Sequence, residues 1–313
     1  MERGTGQVKA ANRDAEIGYG KSAGGLDIVN DVSPEILRKY YEMGWERRWL
    51  SWLNDEGVPG DAGYKLRLKR TLDLVRPPRG GPFRVLDAGC GVGIYTVQCA
   101  RKFSHATLFG VDMSGSQLEA AAALAKQFHV DTRVRFQVCD LTSRAFDQEV
   151  GGGWNVVLVT EVLEHLPDPL PVLKKIRDVM APGGQVIISV PQLTPDEQEG
   201  TWVYHRVLTG KPDFDSVESM DRHSLPPGKV FTYYHRHYRP DEMQRLLADA
   251  GLAVVGVETV FWQRPRRCAA VWWRGMDYLV RRTAWTWLDR AMLELTGPEW
   301  GHNLLWDCRV AQK

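Results

Sequence analysis

The chain has no run of about 18 apolar residues, so no membrane-spanning helix is expected. It also lacks a dominant charge: 40 basic residues face 39 acidic ones, for a formal net charge of +1. That balance argues against a partner held by bulk electrostatics, which excludes DNA and ranks RNA low. Cysteine is scarce, with five residues at 90, 99, 139, 268 and 308. The count is odd and no CxxC pair occurs. This excludes a zinc site and suggests reduced, mostly buried thiols in a cytoplasmic protein. Residues 1–30 carry no apolar core of a signal peptide and read as a flexible arm. Internal repeats and low-complexity segments are absent.

A length of 313 residues with 43% hydrophobic content suits one large core with additions. Ser33 and Pro34 open a predicted helix over 34–53, and a second predicted helix over 63–76 stops at Pro77-Pro78. Strand and helix patterns then alternate. Strands are predicted over 83–88, 107–112, 133–138, 154–160 and 184–190, with helices over 93–103, 115–129 and 168–180. Val172, Leu173, Ile176, Val179 and Met180 form the apolar stripe of a helix packed on a sheet. A helix over 240–250, a strand over 252–262 and a last strand over 304–310 complete the pattern. Such alternation implies an α/β fold, a doubly wound, mostly parallel sheet of Rossmann-like type covered on both faces. Residues 191–238 are too long for a simple loop and predict a structured cap. A broad apolar helix is predicted around 271–295.

The most informative stretch is Val85-Leu86-Asp87-Ala88-Gly89-Cys90-Gly91-Val92-Gly93. An apolar strand ends in an acid, glycines follow at spacing two, and a helix starts at once. Glycine permits positive φ and close approach of a ligand, and the helix start offers free amides. This is a nucleotide cradle. It departs from the dinucleotide fingerprint GxGxxG, because Ile94 stands three places after Gly91. Gly110-Val111-Asp112-Met113 and Val138-Cys139-Asp140-Leu141 then place acids at the ends of the next two strands. Acids at strand ends often serve as helix caps; three in succession after a glycine loop favour a ligand.

These motifs, in this order, resemble the class I methyltransferases that use S-adenosylmethionine (SAM). The resemblance covers roughly 63–262 and the last strand. It implies a seven-stranded Rossmann-like sheet with helical cap insertions and SAM as cofactor. The cofactor would be held by Asp87, Gly89, Cys90, Gly91, Gly93, Asp112, Met113, Asp140, Leu141 and Thr160. In the family, the acid matching Asp112 accepts from both ribose hydroxyls, and that matching Asp140 accepts from the adenine amino group. The implied layout is an arm and helical N-terminal cap (1–62), a SAM-binding core (63–190) and a substrate cap (191–238). The core then continues (239–262), followed by an aromatic-rich helical insertion (263–302) and the last core strand (303–313).

Methyl transfer needs an aligned nucleophile and, often, a base. Thr160-Glu161-Val162-Leu163-Glu164-His165-Leu166 is the leading candidate. In a helical turn Glu161, Glu164 and His165 share one face. Two carboxylates and an imidazole can hold Mg²⁺ or Mn²⁺. The ExxEH spelling is similar to that of ubiquinone-pathway O-methyltransferases and of small-RNA 2′-O-methyltransferases, where a downstream His completes the site; His235 or His237 would supply it here. Three readings stay open: metal ligands (Glu161, Glu164, His165, His235), direct acid–base residues (Glu161, Glu164, His165, His237), or structural residues. The stretch Tyr233-Tyr234-His235-Arg236-His237-Tyr238 resembles the pocket-lining segment of small-molecule methyltransferases. Tyr40-Tyr41-Glu42-Met43-Gly44-Trp45 is similar, over six residues, to sterol and tocopherol methyltransferases.

Twelve tryptophans are present, seven of them between Trp262 and Trp306, and Trp45, Trp49 and Trp52 share a helical face. They suit core and interface packing, or an aromatic wall around a greasy substrate. The reading that follows is an enzyme of secondary metabolism that O-methylates a small, largely apolar metabolite. Its alternatives are C-methylation of an isoprenoid or prenyl diphosphate with a Glu base and Mg²⁺, RNA 2′-O-methylation, and a SAM-binding protein without turnover. A homo-oligomer is among the expected states, because the aromatic, Arg-rich run around 271–295 suits an oligomer contact or a pocket roof.

Overall fold

The computed structural model describes residues 19–21, 27–29, 62–78, 81–166, 168–195, 201–207, 229–263, 275–276, 278–280 and 285–311. In chain order, β1 (Tyr19–Lys21) and β2 (Asp27–Val29) precede helix α1 (Ala62–Leu74). Then come β3 (Phe83–Ala88), α2 (Ile94–Lys102), β4 (Ala106–Asp112), α3 (Gly115–Gln127), β5 (Val134–Val138), α4 (Phe146–Val150) and β6 (Trp154–Thr160). A 3₁₀ turn (Leu163–His165) leads to α5 (Leu170–Asp178) and β7 (Met180–Pro191). The chain continues through β8 (Thr201–Val207), β9 (Lys229–Arg236), α6 (Pro240–Asp249) and β10 (Leu252–Trp262). Helix α7 (Thr286–Thr296), a 3₁₀ turn (Pro298–Trp300) and β11 (Gly301–Val310) close it.

The main sheet has seven strands in the order β10-β11-β7-β6-β3-β4-β5. β3, β4, β5, β6 and β7 run parallel, while β11 is antiparallel to both β7 and β10. The chain winds outward from β3 through β4 to β5, then returns to β6 and β7 on the other side. The reversal between β3 and β6 is the topological switch point, where ligands bind at the carboxyl ends of the strands.

Alternate residues of each strand feed opposite faces. Val85, Leu108, Val156, Leu158 and Ile187 pack with Leu68 and Leu72 of α1, Val97 of α2 and Leu124 of α3. Leu86, Val157, Val159, Val186 and Ile188 pack with Val172 and Ile176 of α5 and Met243 and Leu247 of α6. Burying such a side chain fully contributes roughly 1.5–3 kcal/mol, so both helical layers are firmly held. This is the doubly wound α/β architecture that the alternation predicted.

Several boundaries differ. The Ala181–Gly184 turn is absorbed into β7, where the pairing with β6 skips from Met180 to Gln185 and Gly183 takes φ +71°. Of the helix predicted over 271–295, the described residues are helical at 275–276, at 278–280 and in α7, and Trp285 just before α7 is not. A second sheet, in the order β1-β2-β9-β8, takes residues of the arm and the cap insertion. Here β1 and β2 pair antiparallel, and β2 pairs parallel with β9. Thus the described part of 191–238 is strand, where a mostly helical cap was expected, and 19–29 contributes strands where a flexible arm was expected. Val230-Phe231-Thr232-Tyr233-Tyr234 explains the former, because β-branched and aromatic side chains suit a pleated surface. The predicted helix over 34–53, with Trp45, Trp49 and Trp52, lies outside the described residues, as does the side chain of His235. Among the described residues no helix is long and apolar enough to cross a membrane.

Candidate active site

The glycine loop sits at the carboxyl end of β3. The amides of Gly89 and Cys90 both donate to the carbonyl of Val111, at 2.8 and 2.9 Å, which pins the loop to β4. Gly89 and Gly93 have φ of +80° and +75°. A Cβ on Gly89 would lie 2.5 Å from Val162 Cγ2, and one on Gly93 2.6 Å from Ala121 Cβ. Backbone conformation and packing therefore both demand glycine at these two places.

Three acids stand at the carboxyl ends of β3, β4 and β5. Asp87 is fully buried, and its Oδ2 accepts from Thr96 Oγ1 at 2.5 Å. Its Oδ1 has no partner. Asp112 accepts from the Gly91 amide at 2.8 Å through Oδ2 and from the Ser114 amide at 2.9 Å through Oδ1. Each oxygen is thereby oriented and keeps a lone pair for a further donor. Asp140 Oδ1 accepts from the amide and hydroxyl of Thr142, both within 2.8 Å. Cys90 and Met113 are half-buried, while Leu141 and Thr160 are buried at the ends of their turns and strands. The structure brings the predicted cofactor residues together along one sheet edge.

Burial pushes the Asp87 carboxyl up to about 7, against the opposing Thr96 bond. The folded state therefore binds a proton that the unfolded chain releases near the ordinary carboxylate range. Stability from this group is full at low pH and is lost as pH rises through about 7. Ligand-free protein should unfold at higher urea concentration at pH 5 than at pH 8. Asp87→Asn should shrink that difference by on the order of 2 kcal/mol. An unchanged difference in matched urea titrations would show that Asp87 is ionised throughout. Burial shifts Asp112 in the same direction, so the variant removes only the Asp87 share.

The second half of the site lies beyond β6. Glu161 takes φ +56°, an uncommon left-handed conformation for a residue with a Cβ. Its carboxylate accepts from Arg67 Nη1 at 2.9 Å, Ser189 Oγ at 2.8 Å and Asn303 Nδ2 at 3.0 and 3.1 Å. Arg67 Nε also donates to Tyr95 Oη at 3.0 Å. α1, α2, β7 and β11 thus converge on one carboxylate. Glu164 follows in the 3₁₀ turn and is 1% exposed, with no partner for Oε2. Burial, and then the neighbouring Glu161 charge, hold its carboxyl well above the usual range, which disfavours its ionised form. His165 is partly exposed, and its Nε2 lies 3.7 Å from Glu164 Oε1.

The helical turn expected to place Glu161, Glu164 and His165 on one face does not form. Glu161 stands outside the 3₁₀ turn, its carboxylate taken up by Arg67, Ser189 and Asn303. Among the described residues no three His, Cys, Asp or Glu side chains are grouped so as to hold a metal ion. Glu161, Glu164 and His165, three of the four expected metal ligands, are thus not grouped around one ion position, and the side chain of the fourth, His235, lies outside the described residues. His237 is buried, its ring centroid 6.2 Å from that of His302, apart from the Glu161 hydrogen bonds. Arg67, Tyr95, Ser189 and Asn303 carried no motif in the sequence. Only Ser189 was findable, since a parallel β6–β7 pair sets it opposite Thr160.

The model of one family, described as a methyltransferase domain, matches residues 61–257. The chain belongs to this family. Over 126 residues it is 35% identical to a ubiquinone biosynthesis O-methyltransferase of Aeromonas salmonicida (strain A449), covering 40% of this chain and 50% of that protein. Over 161 residues it is 33% identical to a protein of the same name from Vibrio parahaemolyticus, covering 51% of this chain and 64% of that one. It thus spans about half to just under two thirds of the length of these curated relatives. In fold it is similar to geranyl diphosphate C-methyltransferase from Streptomyces coelicolor A3(2), with a TM-score of 0.53 and 16% identity over 90% of this chain and 100% of that one.

Proposed function

We propose that this protein is a SAM-dependent methyltransferase that methylates an oxygen of a small, largely apolar acceptor. The observation that carries the reading is the sheet edge, where a glycine-rich loop follows β3 and three acids at the ends of β3, β4 and β5 are already oriented by other residues. The residues fit the cofactor. The unpartnered Oδ1 of buried Asp87 suits a donor from the methionine half. The remaining lone pairs of Asp112 suit the two ribose hydroxyls, and Asp140 suits the adenine amino group. When bound, SAM supplies an activated methyl carbon.

The chain's own task is then alignment and proton removal. Glu161 is a poor base, because its carboxylate is held by the Arg67 ion pair and three further hydrogen bonds. Glu164 is sealed from water, and burial disfavours its ionised form. His165, partly exposed at the open end of the turn, is the group able to take the acceptor's hydroxyl proton. Its Nε2 lies 3.7 Å from Glu164 Oε1. The curated relatives support an oxygen acceptor, and the twelve tryptophans support a greasy molecule.

Titration calorimetry with SAM and with its demethylated product tests the cofactor half, and heat with both is expected. Incubating catechols, quinols, prenyl diphosphates and sterols with methyl-labelled SAM, with mass-spectrometric readout, tests the acceptor half. Labelled methyl on a phenolic oxygen is expected. Absence of heat removes the cofactor assignment, and label on carbon removes the O-methylation assignment.

A further inference from the structure

We propose that the outer face of α7, with the short turn at 278–280, docks on a lipid surface that carries anionic headgroups. The inference stands apart from the methyl-transfer reading. Eight large hydrophobic side chains are left exposed among the described residues, and five of them fall between 278 and 295: Tyr278, Leu279, Trp285, Trp287 and Leu295. Such clustering marks an interaction surface, whereas scattered exposure does not.

The arrangement is not unfinished core. α7 is anchored by its inner face, where Leu288, Met292 and Leu293 pack with Phe261 and Trp262. Buried Asp289 accepts from the amides of Phe261 and Trp262 at 3.0 and 2.6 Å. The outer face repeats every four residues as Trp287, Ala291 and Leu295. Trp287 is 64% exposed and Leu295 66%. Trp285 stacks on Trp287 with ring centroids 5.7 Å apart and planes 22° apart, forming a stacked indole pair. The core is already satisfied without this stripe.

Charge selects the occupant. Between 264 and 295 the sequence has seven arginines, no lysine, two aspartates and one glutamate, Glu294, in a chain whose net charge is +1. One of those aspartates, Asp289, is turned inward. A second copy docking through this face by a two-fold axis would bring two arginine-rich segments together. An anionic bilayer instead complements this stretch of sequence, with the indoles at headgroup depth.

The full chain should be sedimented with phosphatidylcholine vesicles and with vesicles containing about 30% phosphatidylglycerol, at low and high salt. Partitioning onto the anionic vesicles is expected to exceed that onto neutral ones by about tenfold or more and to fall at high salt. Trp285→Ser/Trp287→Ser and, separately, Leu295→Ser should each lower it about tenfold with an unchanged melting temperature, because these side chains lie outside the core. Three results would overturn the proposal: no binding to anionic vesicles, equal binding to neutral ones, or binding unaffected by the substitutions. A dimer in analytical ultracentrifugation that the double variant dissociates, without vesicle binding, would assign the face to a second copy and equally overturn it.

Discussion

Asp112→Ala is expected to weaken SAM binding by about 100-fold or more. Hydrogen bonds to a charged acceptor are worth about 1.5–3 kcal/mol each, and the assignment gives Asp112 two of them, to the ribose hydroxyls. The losses sum to roughly 3 kcal/mol or more, which corresponds to a factor of 100 or above in affinity. The substitution also frees the Gly91 amide, which Asp112 Oδ2 accepts at 2.8 Å, so the loop loses its lateral anchor. Circular dichroism and a melting curve separate loss of binding from loss of fold. Calorimetry on the folded variant gives the affinity. A dissociation constant within threefold of the parent would mean that the ribose lies elsewhere and that Asp112 serves only to order the turn.

The second large effect concerns His165. His165→Ala should lower kcat by about 100-fold or more, the range typical of losing a positioned base, with SAM affinity unchanged. Glu164→Gln provides the contrast. The Glu164 carboxyl is buried with its ionised form disfavoured, and an amide resembles the neutral carboxyl in shape and charge, so this variant should keep most of its activity. If Glu164→Gln loses as much as His165→Ala, the buried carboxyl is the base. The two variants read out on single-turnover rates with labelled SAM, where binding and chemistry separate.

Glu161 shows why motif and role differ. Its place in ExxEH suggested a ligand or base on a helical face. The backbone instead turns left-handed at Glu161, and the carboxylate meets Arg67 from 94 residues upstream and Asn303 from 142 residues downstream. No local pattern encodes either encounter, because both depend on where α1 and β11 meet the sheet edge. The glycine loop behaves in the opposite way. Gly89 and Gly93 were legible because a strand, a positive-φ turn and a helix start are contiguous, and contiguous geometry is written in residue types.

The same contrast holds at the level of the fold. Strands 83–88, 154–160 and 252–262 match their predicted ends, since runs of buried apolar residues bounded by glycine, acids and turns leave little choice. The four-stranded sheet of β1, β2, β8 and β9 was missed. Its pairing joins residues about 200 positions apart, and short strands carry weak periodicity.

By itself, then, the sequence determined the alternating α/β core, the glycine turn and the three acid-tipped strand ends. Each follows from residues close together in the chain, through backbone sterics and apolar period. Only the tertiary structure decided that Arg67, Ser189 and Asn303 take up Glu161, that Glu164 is sealed from water, and that Trp285 and Trp287 stack outside the core. Those outcomes depend on distant elements sharing a low-dielectric space or failing to cover a surface, and neither is a property of any local stretch.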